Sequence, residues 1–396
     1  MISQDTEPNR SLCQYPPLRK GGLIALYRKP ISCILAALLV LLCGCSPAEP
    51  APPNTYISPF SQISREAFFP PDVFAQQAPH GEDYEIQWAA PHLEAQMRSL
   101  LDRPTGAIRH SDVWDIQSLT LSGPTHITVY QGLPQGTELA KPTSKLDEAC
   151  RIEGSVPLDA PKLVSLEDLR HFDSLCILRH SAPISGPFLT QLPDLSCCQN
   201  LRALELTVQD TTDLSPLAEM DSVTNLKLQV MGDIVPDLTP LAQMESLRYL
   251  WLEAPCIDLS GLAGAGIQQL RLSASEIRSL EPLTQMPELT ALNLNDTPAV
   301  PSYAPLAQTS IQYLDMGRDV AGRGRYTELD YTPISQMPEL LFLDMSNHSG
   351  LELSVYQKLL DDTPKLKYCS FNFCLPTRQS KQLDGSRMEI YLDAAP

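Results

Sequence analysis

Leu238-Thr-Pro-Leu241-Ala-Gln-Met244-Glu-Ser-Leu247-Arg-Tyr-Leu250-Trp-Leu252 is the stretch on which the reading of this chain turns. It returns as Leu280-Glu-Pro-Leu283-Thr-Gln-Met286-Pro-Glu-Leu289-Thr-Ala-Leu292-Asn-Leu294. Leu250 and Leu252 are two positions apart, so they share one face of a strand. Leu238, Leu241 and Met244 are three apart, the spacing of a short 3₁₀ or α turn with one buried stripe. One strand and one turn cannot bury their apolar side alone. Stacked copies can, with a continuous core and a parallel sheet along one side.

Working outward, the strand part restarts at Leu175, Leu201, Val223, Leu247, Ile267, Leu289, Ile311, Leu340 and Leu366, with gaps of 26, 22, 24, 20, 22, 22, 29 and 26 residues. Nine copies in register predict an α/β solenoid. The copies at Ile267 and Ile311 have one residue fewer before the strand, which a short loop absorbs.

The turns Asp213-Leu-Ser-Pro-Leu-Ala218, Asp237-Leu-Thr-Pro-Leu-Ala242 and Asp258-Leu-Ser-Gly-Leu-Ala263 give the pattern a family likeness. It resembles the leucine-rich-repeat family, internalin-like bacterial branch, over roughly residues 90–375. The resemblance implies a right-handed β-α horseshoe with a helical N-terminal cap. Residues 93–101 read as the amphipathic cap helix and 115–121 as a first strand. Residues 61–121 are then the capping region, 122–165 an insertion or irregular first coil, 166–375 the repeats, and 376–396 a C-terminal cap or tail. The sequence departs from the family where Asn is usual, eight residues after the first strand Leu. Pro183, Gln209, Met231, Pro255, Ser275 and Thr297 stand there, so the convex turns are expected to be irregular.

The N-terminus reads as an address. Arg10, Arg19, Lys20, Arg28 and Lys29 precede an apolar run over 31–42, an arrangement typical of a signal peptide and too short to span as an anchor. Leu42-Cys43-Gly44-Cys45-Ser46 resembles a bacterial lipobox, which implies a signal peptide over 1–44 and Cys45 as the lipidated mature N-terminus. An ordinary secretory cut near Gly44 or Ala48 is the alternative. Residues 45–60 are a lipid-anchored, Pro-rich stiff tether. The expected location is the extracytoplasmic face of the cell membrane, held by that lipid. Residues 45–396 carry 24 basic and 45 acidic side chains, net −21. So acidic a body is a poor partner for a nucleic-acid backbone.

Residues between the inward leucines point out of the sheet onto the concave face. One column is Ile177, Ala203, Asn225, Tyr249, Gln269, Ala291, Tyr313, Phe342 and Tyr368. The next is Arg179, Glu205, Lys227, Trp251, Arg271, Asn293, Asp315, Asp344 and Ser370. Exposed Tyr249, Trp251, Tyr313, Phe342 and Tyr368, with a basic end (Arg179, Lys227, Arg271) and an acidic end (Asp315, Asp344), are the candidate ligand-binding set. Its expected partner is a protein or a surface glycan. The alternative is that these side chains only pack on each other across the rungs. Gly317-Arg-Asp-Val-Ala-Gly-Arg-Gly-Arg-Tyr326 lies in the longest gap and puts Arg323 and Arg325 on a loop; an inert surface insertion is the other reading.

Catalytic spacings are absent from the sequence. The histidines at 80, 92, 110, 126, 171, 180 and 348 form no H-E-x-x-H, and there is no G-x-S-x-G, P-loop or C-x-x-C. No catalytic residue, metal site or cofactor is expected. His180 falls at an inward strand position and reads as a core histidine; Cys176 with His180 is the only local thiol–base pairing. Asp361-Asp362 reads as solvated. Cys198 and Cys369 read as core fillers, and Cys369–Cys374 is a possible disulfide. The combined expectation is a surface-anchored binding lipoprotein. An exported enzyme with its chemistry in the non-repeat N-terminal region, or a structural envelope-assembly protein, are the alternatives.

Overall fold

The computed structural model describes residues 81–122, 126–131, 151–155, 166–181, 189–192, 195–196, 198–297, 300–317 and 330–392. The segment expected to be a signal peptide, Cys45, the stretch expected to be a tether, and the loop carrying Arg323 and Arg325 lie outside the described residues.

The chain is a leucine-rich-repeat solenoid. Its parallel strands are β1 (Ile116–Ser122), β4 (Ile177–Ser181), β5 (Ala203–Gln209), β6 (Asn225–Met231), β7 (Tyr249–Glu253), β9 (Gln269–Ser273), β11 (Ala291–Asp296), β12 (Tyr313–Asp315), β13 (Phe342–Asp344), β14 (Tyr368–Ser370) and β15 (Glu389–Tyr391). They lie side by side in chain order. Register comes from the leucines. Leu119, Leu178, Leu204, Leu226, Leu250, Leu270, Leu292, Leu314, Leu343, Cys369 and Ile390 are successive partners across the strands. All but Ile390 are fully enclosed. A second inward ladder runs Leu121, His180, Leu206, Leu228, Leu252, Leu272. A slip of one residue would turn both ladders out to water, at about 1.5–3 kcal/mol per leucine, so the apolar spacing dictates the pairing.

The returning side of each coil is a short turn. Ser215–Glu219, Leu259–Leu262, Glu281–Gln285 and Ala304–Gln308 are 3₁₀, and Thr239–Ala242 and Thr332–Ser335 are single α turns. A hydrogen-bond acceptor two residues ahead starts each one. Asp213, Asp237, Asp258 and Asp330 accept the N–H of Ser215, Thr239, Ser260 and Thr332, and Ser279 and Ser302 accept those of Glu281 and Ala304. Five of the six turns carry Pro in their first two positions, where its missing N–H costs nothing. The two repeats that are one residue short end their turns in extended backbone: Ala263 has ψ 127° and Thr309 ψ 162°, against 73° at Met220 and 83° at Met286.

The absent asparagines are replaced in two ways. Thr297 donates its hydroxyl to Leu272 O at 3.2 Å. Elsewhere coil bonds to coil through the backbone: Ala254 N–H to Ser273 O at 3.0 Å, Ser275 N–H to Pro255 O at 3.0 Å. A second, two-stranded parallel sheet joins β8 (Cys256–Ile257) and β10 (Glu276–Ile277). These turns are therefore more regular than the lost Asn ladder suggested.

At the N-terminal end, helix α1 (Pro91–Leu100) buries Leu93 and Met97. No side chain of its own caps it. Asp168 does so from a distance, accepting Ala89 N–H at 2.8 Å and Ala90 N–H at 2.7 Å. Within the stretch expected to be irregular, β2 (His126–Gln131) and β3 (Arg151–Ser155) extend the sheet antiparallel from β1. At the other end, helix α2 (Leu353–Asp362) replaces a short turn and buries Tyr356, Leu359 and Leu360. Arg387 donates to Leu360 O and Asp361 O, closing that helix. Asp361 accepts from Gln357 and Asp362 pairs with Lys358, both in the open. Cys369 and Cys374 are not bonded to each other: both thiols are free, and Cys374 donates to Met345 O at 2.9 Å.

Candidate functional site

The two outward columns are real rows of the sheet. Strand pairing sets Ile177, Ala203, Asn225, Tyr249, Gln269, Ala291, Tyr313, Phe342 and Tyr368 side by side, and Arg179, Glu205, Lys227, Trp251, Arg271, Asn293, Asp315, Asp344 and Ser370 beside them. Parallel rungs sit roughly 4.8 Å apart, so each side chain leans on its neighbours in the row.

That crowding corrects the exposure expected for the aromatics. Tyr368 is 41% exposed, Phe342 only 3%, and Tyr249, Trp251 and Tyr313 are half-buried. Phe342 is flanked by Tyr313 and Tyr368 on adjacent rungs. Trp251 is the centre of the face. Lys227 Nζ stands 4.2 Å from its ring centroid and Arg271 Cζ 3.9 Å. Lys227 comes from β6 and Arg271 from β9, on opposite sides of β7, so the two cations bracket the indole. Each stacked cation contributes on the order of 0.5–2 kcal/mol, more as water is excluded.

The basic end is not a free positive patch. Glu205 sits between two of its members, 2.9 Å from Lys227 Nζ and 3.8 Å from Arg179 Nε; Glu253 lies 3.7 Å from Lys227 Nζ. Opposite charges on neighbouring rungs are the sheet's form of mutual neutralisation. One row further, Thr207 donates to Gln229 Oε1 at 3.1 Å. A groove of about 370 Å³ opens beyond this row, lined by Gln229, Met231, Glu253, Ala254, Ser273 and Ser275 among others.

The acidic end is not a surface patch either. Asp315 and Asp344 are buried. Asp315 accepts from Asn293 Nδ2 at 2.9 Å and from Gly317 N–H at 2.9 Å; Asp344 accepts from Ser346 N–H at 2.8 Å. Each aspartate bends its own backbone two residues on, and β12 and β13 end there after three residues. Ser346 and Ser370 share a 2.8 Å hydroxyl contact. The expected dipole of a basic and an acidic end is therefore absent. A mixed, half-exposed centre on β5–β9 adjoins a closed polar seam on β11–β14.

Glu205 and Glu253 are the members that reasoning from candidates passed over. Glu205 was legible, since it stands in the charged column between Arg179 and Lys227. Glu253 belongs to a third outward row whose existence depends on β6 and β7 being long enough.

Neither local thiol–base pairing nor a metal cluster arises among the described residues. Cys176 donates to Ser174 O at 3.2 Å, and burial pushes its thiol up to about 11. His180 is enclosed, and burial first, then the neighbouring His92, pulls its imidazole down to about 4. A thiol that stays protonated and a histidine that stays neutral make no nucleophile pair at neutral pH.

No family model matches the chain, and no curated protein does. Solved structures with a similar course include an internalin (InlF) from Listeria monocytogenes, at 16% identity and TM-score 0.36, covering 78% of this chain and 96% of that one. An internalin C2 from the same species stands at 19% identity and TM-score 0.28, covering 52% and 77%. A leucine-rich-repeat protein of Leptospira interrogans stands at 15% and 0.30, covering 59% and 70%. The fold assignment here rests on this chain's own strand register.

Proposed function

We propose that this chain is a non-enzymatic binding scaffold of the cell exterior, anchored through lipid on Cys45, whose partner is a protein that docks on the outer face of the sheet. The observation carrying the reading is the Lys227–Trp251–Arg271 stack. It holds a large amphipathic side chain at the centre of the face, with Lys227 already paired to Glu205 and Glu253. Rigid Trp and Arg anchors with little left to order are what protein recognition uses. The same stack argues against a glycan: sugar rings dock on an open indole face, and cations occupy both. Tyr249 and Gln269 stand next to it half-exposed, and Arg179 and Tyr313, three rungs to either side, extend the contact area. Tyr368 adds an exposed aromatic at the far end of the same row. Phe342, Asp315 and Asp344 support the face from below.

The test is photo-cross-linking on live cells. A photoreactive residue at Gln269, on the outer row, is compared with one at Thr284, on the returning turn. A discrete protein adduct from 269 that disappears in Trp251→Ala supports the reading. Adducts from 284 alone, or adducts at 269 indifferent to Trp251, overturn it. The anchor is tested separately: incorporation of labelled fatty acid must be lost in Cys45→Ser.

A further inference from the structure

Histidine is concentrated at one end of this solenoid. Residues 181–347 contain none, whereas His92, His110, His171 and His180 are all buried at the N-terminal end. Two of them fasten the segment 82–88 to the first coil. That segment lies antiparallel to 108–110, with Ile86 N–H on Ile108 O at 2.9 Å and His110 N–H on Tyr84 O at 2.8 Å. His110 stacks on Tyr84 at 4.6 Å between ring centres. Its Nδ1 lies 3.0 Å from Glu82 O and its Nε2 3.2 Å from Asp173 Oδ2. The Tyr84 hydroxyl then reaches 2.7 Å to His171 Nδ1, and Trp88 meets the same ring edge-on at 6.2 Å.

The surroundings of His171 favour its neutral form. Arg170 Nε donates toward His171 Nε2 at 3.4 Å, so the ring's single proton sits on Nδ1 and is donated to Tyr84. A second proton would have to sit on Nε2, facing a guanidinium. Asp168 lies 3.9 Å away, but both its oxygens already accept the Ala89 and Ala90 N–H groups that start α1. His110 and Asp173 are the remaining titratable neighbours. Protonated His171 therefore gains a repulsion and competes for the carboxylate that holds the helix.

We propose that His171 is an acid-sensitive latch: its protonation frees the Tyr84–Trp88 side of the segment 82–88, and the start of α1 with it, while His110 remains the pivot. Burial, and after it the Arg170 charge, holds the His171 imidazole below the usual histidine range. A folded-state value below the unfolded one gives stability that is whole above about pH 6.5 and is lost as pH falls below it. Release would uncover Ile86, Leu93, Met97 and Ile108, now buried in that end of the core, as an apolar patch.

Hydrogen exchange on the intact chain, corrected for the intrinsic rate and compared at pH 7.5 and 5.0, tests the latch. The histidine-free stretch 201–296 is the internal reference. Peptides over 82–97 should lose about tenfold protection at pH 5.0 while the reference keeps its own. His171→Gln, which cannot take the second proton, should abolish the difference. Arg170→Gln, which removes the opposing charge and so brings the folded-state value back toward the unfolded one, should shrink the loss and carries the test if the first variant fails to fold. Equal protection of 82–97 at both pH values, or an unaltered acid response in either variant, overturns the proposal.

Discussion

Asn293 donates its side-chain amide to the Asp315 carboxylate at 2.9 Å, across the β11–β12 pair and out of reach of water. Asn293 Oδ1 meanwhile accepts Asn295 N–H at 3.0 Å. One side chain thus ties two repeats together and shapes its own strand end. The tie stands where the half-exposed centre of the outer face meets the buried Asp315–Asp344 seam.

Replacing Asn293 by Leu should therefore cost about 1–3 kcal/mol, because a buried carboxylate oxygen loses its donor. Chemical denaturation measures it. A change within about 0.5 kcal/mol, the range of ordinary surface substitutions, would show the seam to be wetter than its burial indicates.

The inward and outward rows of β7 should respond in opposite proportion. Leu250 has Leu226 and Leu270 as partners in the inward ladder, so Leu250→Ala opens a cavity worth about 2–5 kcal/mol. Trp251→Ala touches only the outer face and should cost less stability while abolishing partner cross-linking. A larger loss of stability from Trp251→Ala than from Leu250→Ala would contradict the assignment of faces.

His180 occupies a leucine position between Leu121 and Leu206, and its Nδ1 is buried without a hydrogen-bond partner. His180→Leu should raise the melting temperature. The gain should be larger at pH 5 than at pH 7.5. With a folded value of about 4 against an unfolded one near 6.5, the native histidine's contribution is intact above pH 6.5 and is lost as pH falls toward 4. A constant gain across that window would refute the buried neutral ring.

A second acid loss should follow at lower pH. Hydrogen bonds from the Ser215, Thr239, Ser260 and Thr332 hydroxyls, then from their backbone N–H groups, hold Asp213, Asp237, Asp258 and Asp330 below the usual carboxylate range. Their contribution is present above about pH 3.9 and lost as pH falls through the folded values. Changing all four to Asn, which still offers an oxygen but no charge, should lower the melt above pH 5 and flatten the melt-versus-pH curve below about pH 4.

Thiol labelling of the native protein, read by peptide mass, should separate the described cysteines. Burial pushes Cys374 up to about 12, Cys176 up to about 11, and Cys369 well above the usual range. Cys198 is buried as well, while Cys256 is partly open. Only Cys256 of these five should react within minutes at pH 8. Rapid labelling of Cys369 or Cys374 would mean that the last coils open more readily than their packing implies.

The ladder from Leu178 to Leu343 was legible because a leucine every two dozen residues has one way to leave water: next to the leucine of the following copy. The Asp-Leu-Ser-Pro turns were legible for a related reason, since a short acceptor bonds its own backbone two residues on, whatever the rest of the chain does. Nearest-neighbour physics of this kind is written along the chain. Exposure on the outer face was not. Whether Phe342 or Asp315 meets water depends on what the rungs on either side place against it, and those rungs are 20 or more residues away. The pairing of Glu205 with Lys227, the bracketing of Trp251, the distant cap that Asp168 lends to α1 and the fastening of Tyr84 to His171 are all contacts between separate coils. Spacing in one dimension selected the scaffold. Only the folded stack, which sets each side chain beside two from other turns, decided which of them a partner could touch.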